Sequence, residues 1–252
     1  LEKKGIKHAI LHTYDKYPAQ IHSDVDYCVS GSNLGKIPAT LNTFCMSSGW
    51  LLVQILQHEV TAFFCICVSR DNPTDYIELD VCSDYMREGK VLLEANQILK
   101  ERRKVLGKSF YKPSVGIEFC YSLWKSVAKK KSLESSQDKL KSIYNQNPIK
   151  CENEMRKGKI GEALAECAHW SEYSKQSYQK LTQFYNTTDK VSRWRRMKKF
   201  YRRVIQPNGL LVYVSEASGG VEESFLKGLD PCFRGISGKC TKLYVLKTCI
   251  HI

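Results

Sequence analysis

The stretch His22–Gly31, HSDVDYCVSG, sets two aspartates one residue apart inside an otherwise apolar, β-prone run. Successive residues of a strand point to opposite faces, so Asp24 and Asp26 share one. Two carboxylates held that close repel each other, and burying them unpaired is costly. A divalent cation removes both penalties, because carboxylate oxygens suit it as ligands. A solvated strand edge removes them too, and the spacing of the pair alone does not choose.

Working outward, GIKHAILH reads as a strand, followed by a loop at Pro18 that leads into the aspartate strand. On the other side, NLGKIPATLNTFCMSSGW places Leu34, Ile37, Leu41, Phe44 and Cys45 on one helical face, with Gly49 positioned to end the helix. Three strand-like runs follow: WLLVQILQHE, VTAFFCICVS and TDYIELDVCSD. In the third, Asp80 lies between Leu79 and Val81, much as Asp26 lies between Val25 and Tyr27. Three carboxylates on neighbouring strands form a donor set for two magnesium ions. Glu78 shares a face with Asp80 and is the alternative to it.

The remainder reads as helical. YMREGKVLLEANQILKERRKVL carries Val91, Leu92, Ala95, Ile98 and Leu99 at helical spacing, and VGIEFCYSLWKSVAKKK follows Pro113 with Phe119, Leu123 and Val127 four apart. Further helices are expected in SLESSQDKLKSIYNQNP and IGEALAECAHWSEYSKQSYQKLTQFY. A basic run from Lys190 to Arg203 is interleaved with Trp194, Phe200 and Tyr201, after which QPNGLLVYVSEASGG changes character at a turn. The expected class is α/β, α+β in detail. Its parts are a mixed-sheet core over 1–88, a helical domain over 89–206 and a third segment over 207–252.

Lysine and arginine number 39 against 26 acidic residues, a net charge of +13 that favours anionic partners. The 11 cysteines include no CxxC pair, and the Cys65/Cys67 pair reads as small buried hydrophobes rather than zinc ligands. Reduced thiols suit a cytoplasmic protein. No signal peptide is expected, and no apolar run nears the roughly 20 residues that span a bilayer. Of the histidines, His12 and His22 lie closest to the aspartates, and both read as ordinary polar contacts. In the basic run, Trp194, Met197 and Tyr201 share a stripe that reads as core-facing, so nucleic acid is not the favoured partner.

The order strand, Asp-x-Asp, helix, strands, hydrophobic-Asp-hydrophobic resembles the nucleotidyltransferases of the DNA polymerase β superfamily, with SDVDYCV and ELDV carrying the likeness. The resemblance implies that Asp24 and Asp26 bind two magnesium ions, and that Asp80 binds one and serves as general base. It points to Thr13, Ser23 and Lys125 for the nucleoside triphosphate, which would pass its monophosphate to a hydroxyl acceptor, a sugar or phosphosugar among the candidates. That superfamily places a Gly-Ser or Gly-Gly pair about ten residues before the aspartates. Here the corresponding stretch, ILHTYDKYPA, contains no glycine. The alternative is therefore a decayed module that binds nucleotide, RNA or protein. The segment QPNGLLVYVSEASGGVEESFLKGLDPCFRG resembles the opening of a thymidylate-kinase-like P-loop domain. Of the G-x-x-x-x-G-K-[ST] pattern laid onto SEASGGVE only Gly220 survives, which implies a kinase remnant without function.

Overall fold

A computed structural model describes residues 1–164, less 13, 15, 22 and 73, together with 175–187 and the isolated position 197. The N-terminal part is a five-stranded mixed sheet in the order β1-β2-β5-β4-β3. Its strands are β1 (His8–Ile10), β2 (Val25–Val29), β3 (Trp50–Glu59), β4 (Ala62–Ser69) and β5 (Tyr76–Cys82). β2 and β5 run parallel, and every other neighbouring pair is antiparallel. The fold is α+β, as the sequence led us to expect.

Between β2 and β3 lie the short helix α1 (Gly31–Leu34) and α2 (Ile37–Ser47), where one helix was expected. Leu34, Ile37, Leu41 and Cys45 are buried, whereas Phe44 is 55% exposed. Within α2, Phe44 lies at the solvent edge of the stripe formed by Ile37, Leu41 and Cys45. Gly49 closes this segment at φ +73°, a conformation that a side chain would strain.

Strand alternation divides the sheet into two apolar faces. Val25, Tyr27, Val29, Cys65 and Val81 pack with Ile37 and Leu41 on the α2 side. Ala9, Cys28, Ala62 and Cys82 pack on the opposite side, against the helical part of the chain. Asp26 and Asp80 belong by register to this second face.

The chain after β5 departs from expectation. Instead of a helix from Tyr85 onward there is a hairpin, β6 (Tyr85–Arg87) with β7 (Lys90–Leu93), and only then α3 (Ala95–Lys100). The cause is the Glu88–Gly89 pair, both at positive φ, which makes the tight turn that suits a two-residue hairpin. A two-stranded ribbon, β8 (Arg103–Lys104) with β9 (Tyr111–Lys112), leads to the helices. These are α4 (Val115–Ala128), α5 (Leu133–Tyr144), α6 (Pro148–Met155), α7 (Gly158–Ala163) and α8 (Lys175–Thr187). Residues 190–203 apart from Met197, and residues 207–252, with the rest of the basic run and the P-loop-like stretch, lie outside the described residues. Met197 is exposed, not core-facing as its spacing with Trp194 and Tyr201 led us to expect.

α4 is the central helix, buried over nearly its whole length and packed by α5, α6 and α8. A helix that is apolar nearly all round belongs inside. Buried Lys90 anchors the hairpin to α8, with its ammonium donating to the carbonyls of Tyr185 and Asn186 and lying 4.4 Å from the Tyr185 ring centroid. A cation at helix C-terminal carbonyls is well placed electrostatically. Among the described residues no helix is long and apolar enough to cross a membrane. The seven described cysteines are free and buried.

α4 and α6 meet closely at Gly116, where an added Cβ would come within 2.6 Å of the Lys150 carbonyl oxygen and of Glu154 Cγ. Replacing a helical glycine by alanine ordinarily stabilises by about 1 kcal/mol. Here the sign reverses. Gly116→Ala is expected to destabilise by about 1–3 kcal/mol through overpacking, read as a lower denaturation midpoint in urea.

Candidate metal centre

Parallel pairing of β2 with β5 sets Asp26 opposite Asp80, and Asp24 stands one residue before β2. One carboxylate oxygen from each of Asp24, Asp26 and Asp80 lies within 4.8 Å of the others. Among the described residues this is the group of acidic, histidine or cysteine side chains that could hold a metal ion. The donor set is all carboxylate oxygen, which fits a hard divalent cation. Glu78, two residues earlier on β5, is outside it.

Asp26 is 7% exposed and is met by two bases from other elements. Lys125 Nζ on α4 donates to its Oδ2 at 3.0 Å, and His12 Nε2, just past β1, contacts the same oxygen. The Lys125 ammonium also touches His12 and lies 3.3 Å from the Tyr121 hydroxyl. The His12 ring stacks on Tyr121 at 5.9 Å. Burial alone would raise the Asp26 pKa, but the His12 contact and the Lys125 charge hold it at about 2. Burial also lowers the pKa of Lys125, against the opposing pull of Asp26.

Asp80 has the opposite balance. Burial, then the charges of Asp26 and Asp24, push it up to about 7, and the cations Arg87 and Lys125 offset only part of this. Two carboxylates facing each other across one strand pair are thus held far apart in acidity by what surrounds them.

Of the residues expected to contact nucleotide, Lys125 reaches the carboxylates and pairs with Asp26. Ser23 is exposed, its hydroxyl 3.4 Å from the Asp24 carbonyl oxygen. Thr13 lies outside the described residues. Glu118, which shares the α4 face, accepts a hydrogen bond from Tyr14 Oη at 2.6 Å instead of joining the site. His12 corrects the sequence reading: it is not an ordinary polar contact but a direct neighbour of Asp26. Its only sequence signal was a polar residue just after a short strand. Arg87 was missed because the run containing it was read as helix.

A cleft of about 60 Å³ opens beside the carboxylates, lined by Asp26, Asp80, Glu59, Arg87, Tyr85 and Tyr121 among others. A larger pocket of about 530 Å³, lined by parts of α3, α4 and α7, shares Asp84 with it. No protein-family model matches the chain, and a search of curated proteins finds no significant match.

The pKa of Asp80 makes a stability prediction. A folded-state value near 7, against 3.8 ordinarily, means that the folded protein binds this proton more tightly than the unfolded chain. Its contribution to stability is complete below about pH 4 and lost as pH rises to about 7. With a chelator present, Asp80→Asn should therefore be more stable than the parent at pH 8, by on the order of 2–4 kcal/mol, and nearly equal to it at pH 4. Calorimetric melting at the two pH values reads the difference.

Proposed function

We propose that the chain is a metal-dependent nucleotidyltransferase that moves a nucleoside monophosphate from a nucleoside triphosphate to a hydroxyl acceptor. The observation that carries this is the register of β2 and β5, which gathers Asp24, Asp26 and Asp80 into one oxygen cluster beside a cleft. The likeness of SDVDYCV and ELDV to the polymerase β superfamily supports it independently. Magnesium is the proposed metal, held by the three aspartates, and when bound it supplies charge neutralisation for the triphosphate and its leaving group.

The chain's own residues have distinct tasks in this scheme. Asp80 takes the proton of the acceptor hydroxyl as the new acceptor-oxygen bond to the α-phosphorus forms. The bond from that phosphorus to the bridging oxygen breaks, and pyrophosphate leaves with the electron pair. A carboxylate beside the acceptor, held ionised by the bound metal, is the group that would accept this proton. Lys125 keeps Asp26 ionised and stands by the phosphates, and His12 fixes the orientation of the Asp26 carboxylate. The acceptor is proposed to be a sugar or phosphosugar, and the segment after residue 207 to be a kinase remnant without activity. A cytoplasmic setting is proposed with it, supported by the seven buried, unbridged thiols.

One observation favours a second reading: the glycine-free stretch 11–20 offers no close backbone approach to a triphosphate. Calorimetry with magnesium and each of the four nucleoside triphosphates separates the two. The parent is expected to bind at least one, and Asp26→Asn to weaken that binding tenfold or more. Transfer by Asp26→Asn should fall by 100-fold or more, since charge stabilisation at such sites is worth several kcal/mol. A folded parent that binds none of the four is a decayed module kept for its surface.

A further inference from the structure

Arg87 lines the cleft beside the carboxylates, and its charge acts on Asp80. It ends β6, next to the Glu88–Gly89 turn, and its side chain enters the cleft that Asp26 and Asp80 line. The side chain is half-buried, yet its Nε is fully shielded from solvent and has no hydrogen-bond partner. The Asp80 charge acts on the guanidinium across the cleft. Its nearest aromatic neighbour is the Tyr85 ring, 5.9 Å from the guanidinium carbon. The Tyr85 hydroxyl is buried as well, and its polar neighbour is the Arg87 side chain.

A shielded guanidinium N–H that no acceptor meets at full hydrogen-bond geometry is costly, and the neighbouring Tyr85 hydroxyl offsets only part of that. A ligand that brings acceptor oxygens into the cleft removes the cost. The ligand has to be anionic, because the guanidinium has no acceptor of its own, and a phosphate matches its fork of N–H donors. The site also needs such a residue. The stretch 11–20 has no glycine for a phosphate cradle, and Lys125 divides its charge between Asp26 and the phosphates.

Building on the nucleotidyltransferase reading, we propose that Arg87, with the Tyr85 hydroxyl beside it, binds a phosphate group of the substrates in the cleft next to Asp80. The phosphate belongs either to the triphosphate or to a phosphorylated acceptor, and both sources share the same chemistry.

The test is calorimetric titration of the full chain with magnesium plus pyrophosphate, magnesium plus each nucleoside triphosphate, and magnesium plus a hexose 1-phosphate. The parent is compared with Arg87→Gln, Arg87→Lys and Tyr85→Phe. Arg87→Gln is expected to weaken at least one phosphate probe tenfold or more, with the melting temperature and magnesium binding unchanged. Arg87→Lys should recover part of the loss, and Tyr85→Phe should weaken the same probe three- to tenfold. Loss confined to pyrophosphate and triphosphates assigns the residue to the nucleotide, and loss confined to the hexose phosphate assigns it to the acceptor. If the parent binds a probe and Arg87→Gln binds all of them within twofold, the Arg87 assignment is overturned and the function stands. If the parent binds no probe at all, both are overturned. Joint loss of magnesium, phosphate and thermal stability also overturns the assignment, because it marks a collapsed cleft. Should Arg87→Gln fail to fold, Tyr85→Phe decides by the same criterion.

Discussion

Like charges brought together in a place shielded from water set the problem that the structure is organised around. Asp26 and Asp80 face each other across the β2–β5 pairing, with Asp24 alongside. At Asp26 the cost is met by protein cations: His12 comes from the end of β1, and Lys125 from the centre of α4, far along the chain. At Asp80 it is met only in part, and burial with the neighbouring charges raises its pKa to about 7. The three carboxylates sit together only because β1, α4 and the sheet are packed around them.

That packing follows from the two-faced sheet. Residues of odd number on β2 are apolar and bury against α2, while Cys28 on the other face, like Cys82 and Ala62, is small. Small side chains on the face toward α4 let that helix approach closely. The aromatic residue Tyr121 then lies over the carboxylates, and Lys125, one turn on, reaches Asp26. The helix must be almost wholly apolar to be central, so its two charged residues near the sheet each need a partner. Glu118 finds Tyr14, and Lys125 finds Asp26.

The hairpin β6–β7 has a separate effect. It turns the chain back after β5, so Arg87 lies beside Asp80 instead of being carried away along a helix. Buried Lys90, on the returning strand, ties the hairpin to the end of α8. The electrostatic surroundings of the carboxylates are therefore assembled from β1, the hairpin and α4, three elements with no local sequence relation.

Much of the fold and part of the site were legible in the residues. Period-two alternation around Asp24 and Asp26, and the apolar flanks of Asp80, located both strands and the face that the carboxylates share. Phe119, Leu123 and Val127 located α4. These are local properties, and local spacing encodes them. The hairpin was not legible, because KVLLEANQIL carries helical spacing and Glu88–Gly89 at positive φ outweighs it. The partners of the carboxylates were not legible either. His12, Arg87 and Lys125 meet the aspartates only through strand order and helix packing, and no spacing records which distant residue will stand within 3 Å of a given oxygen. The sequence by itself determined which carboxylates line one face of which strands. Only the tertiary structure decided how far apart their acidities lie, because acidity depends on burial and neighbouring charge, and both are set by contacts between residues far apart in the chain.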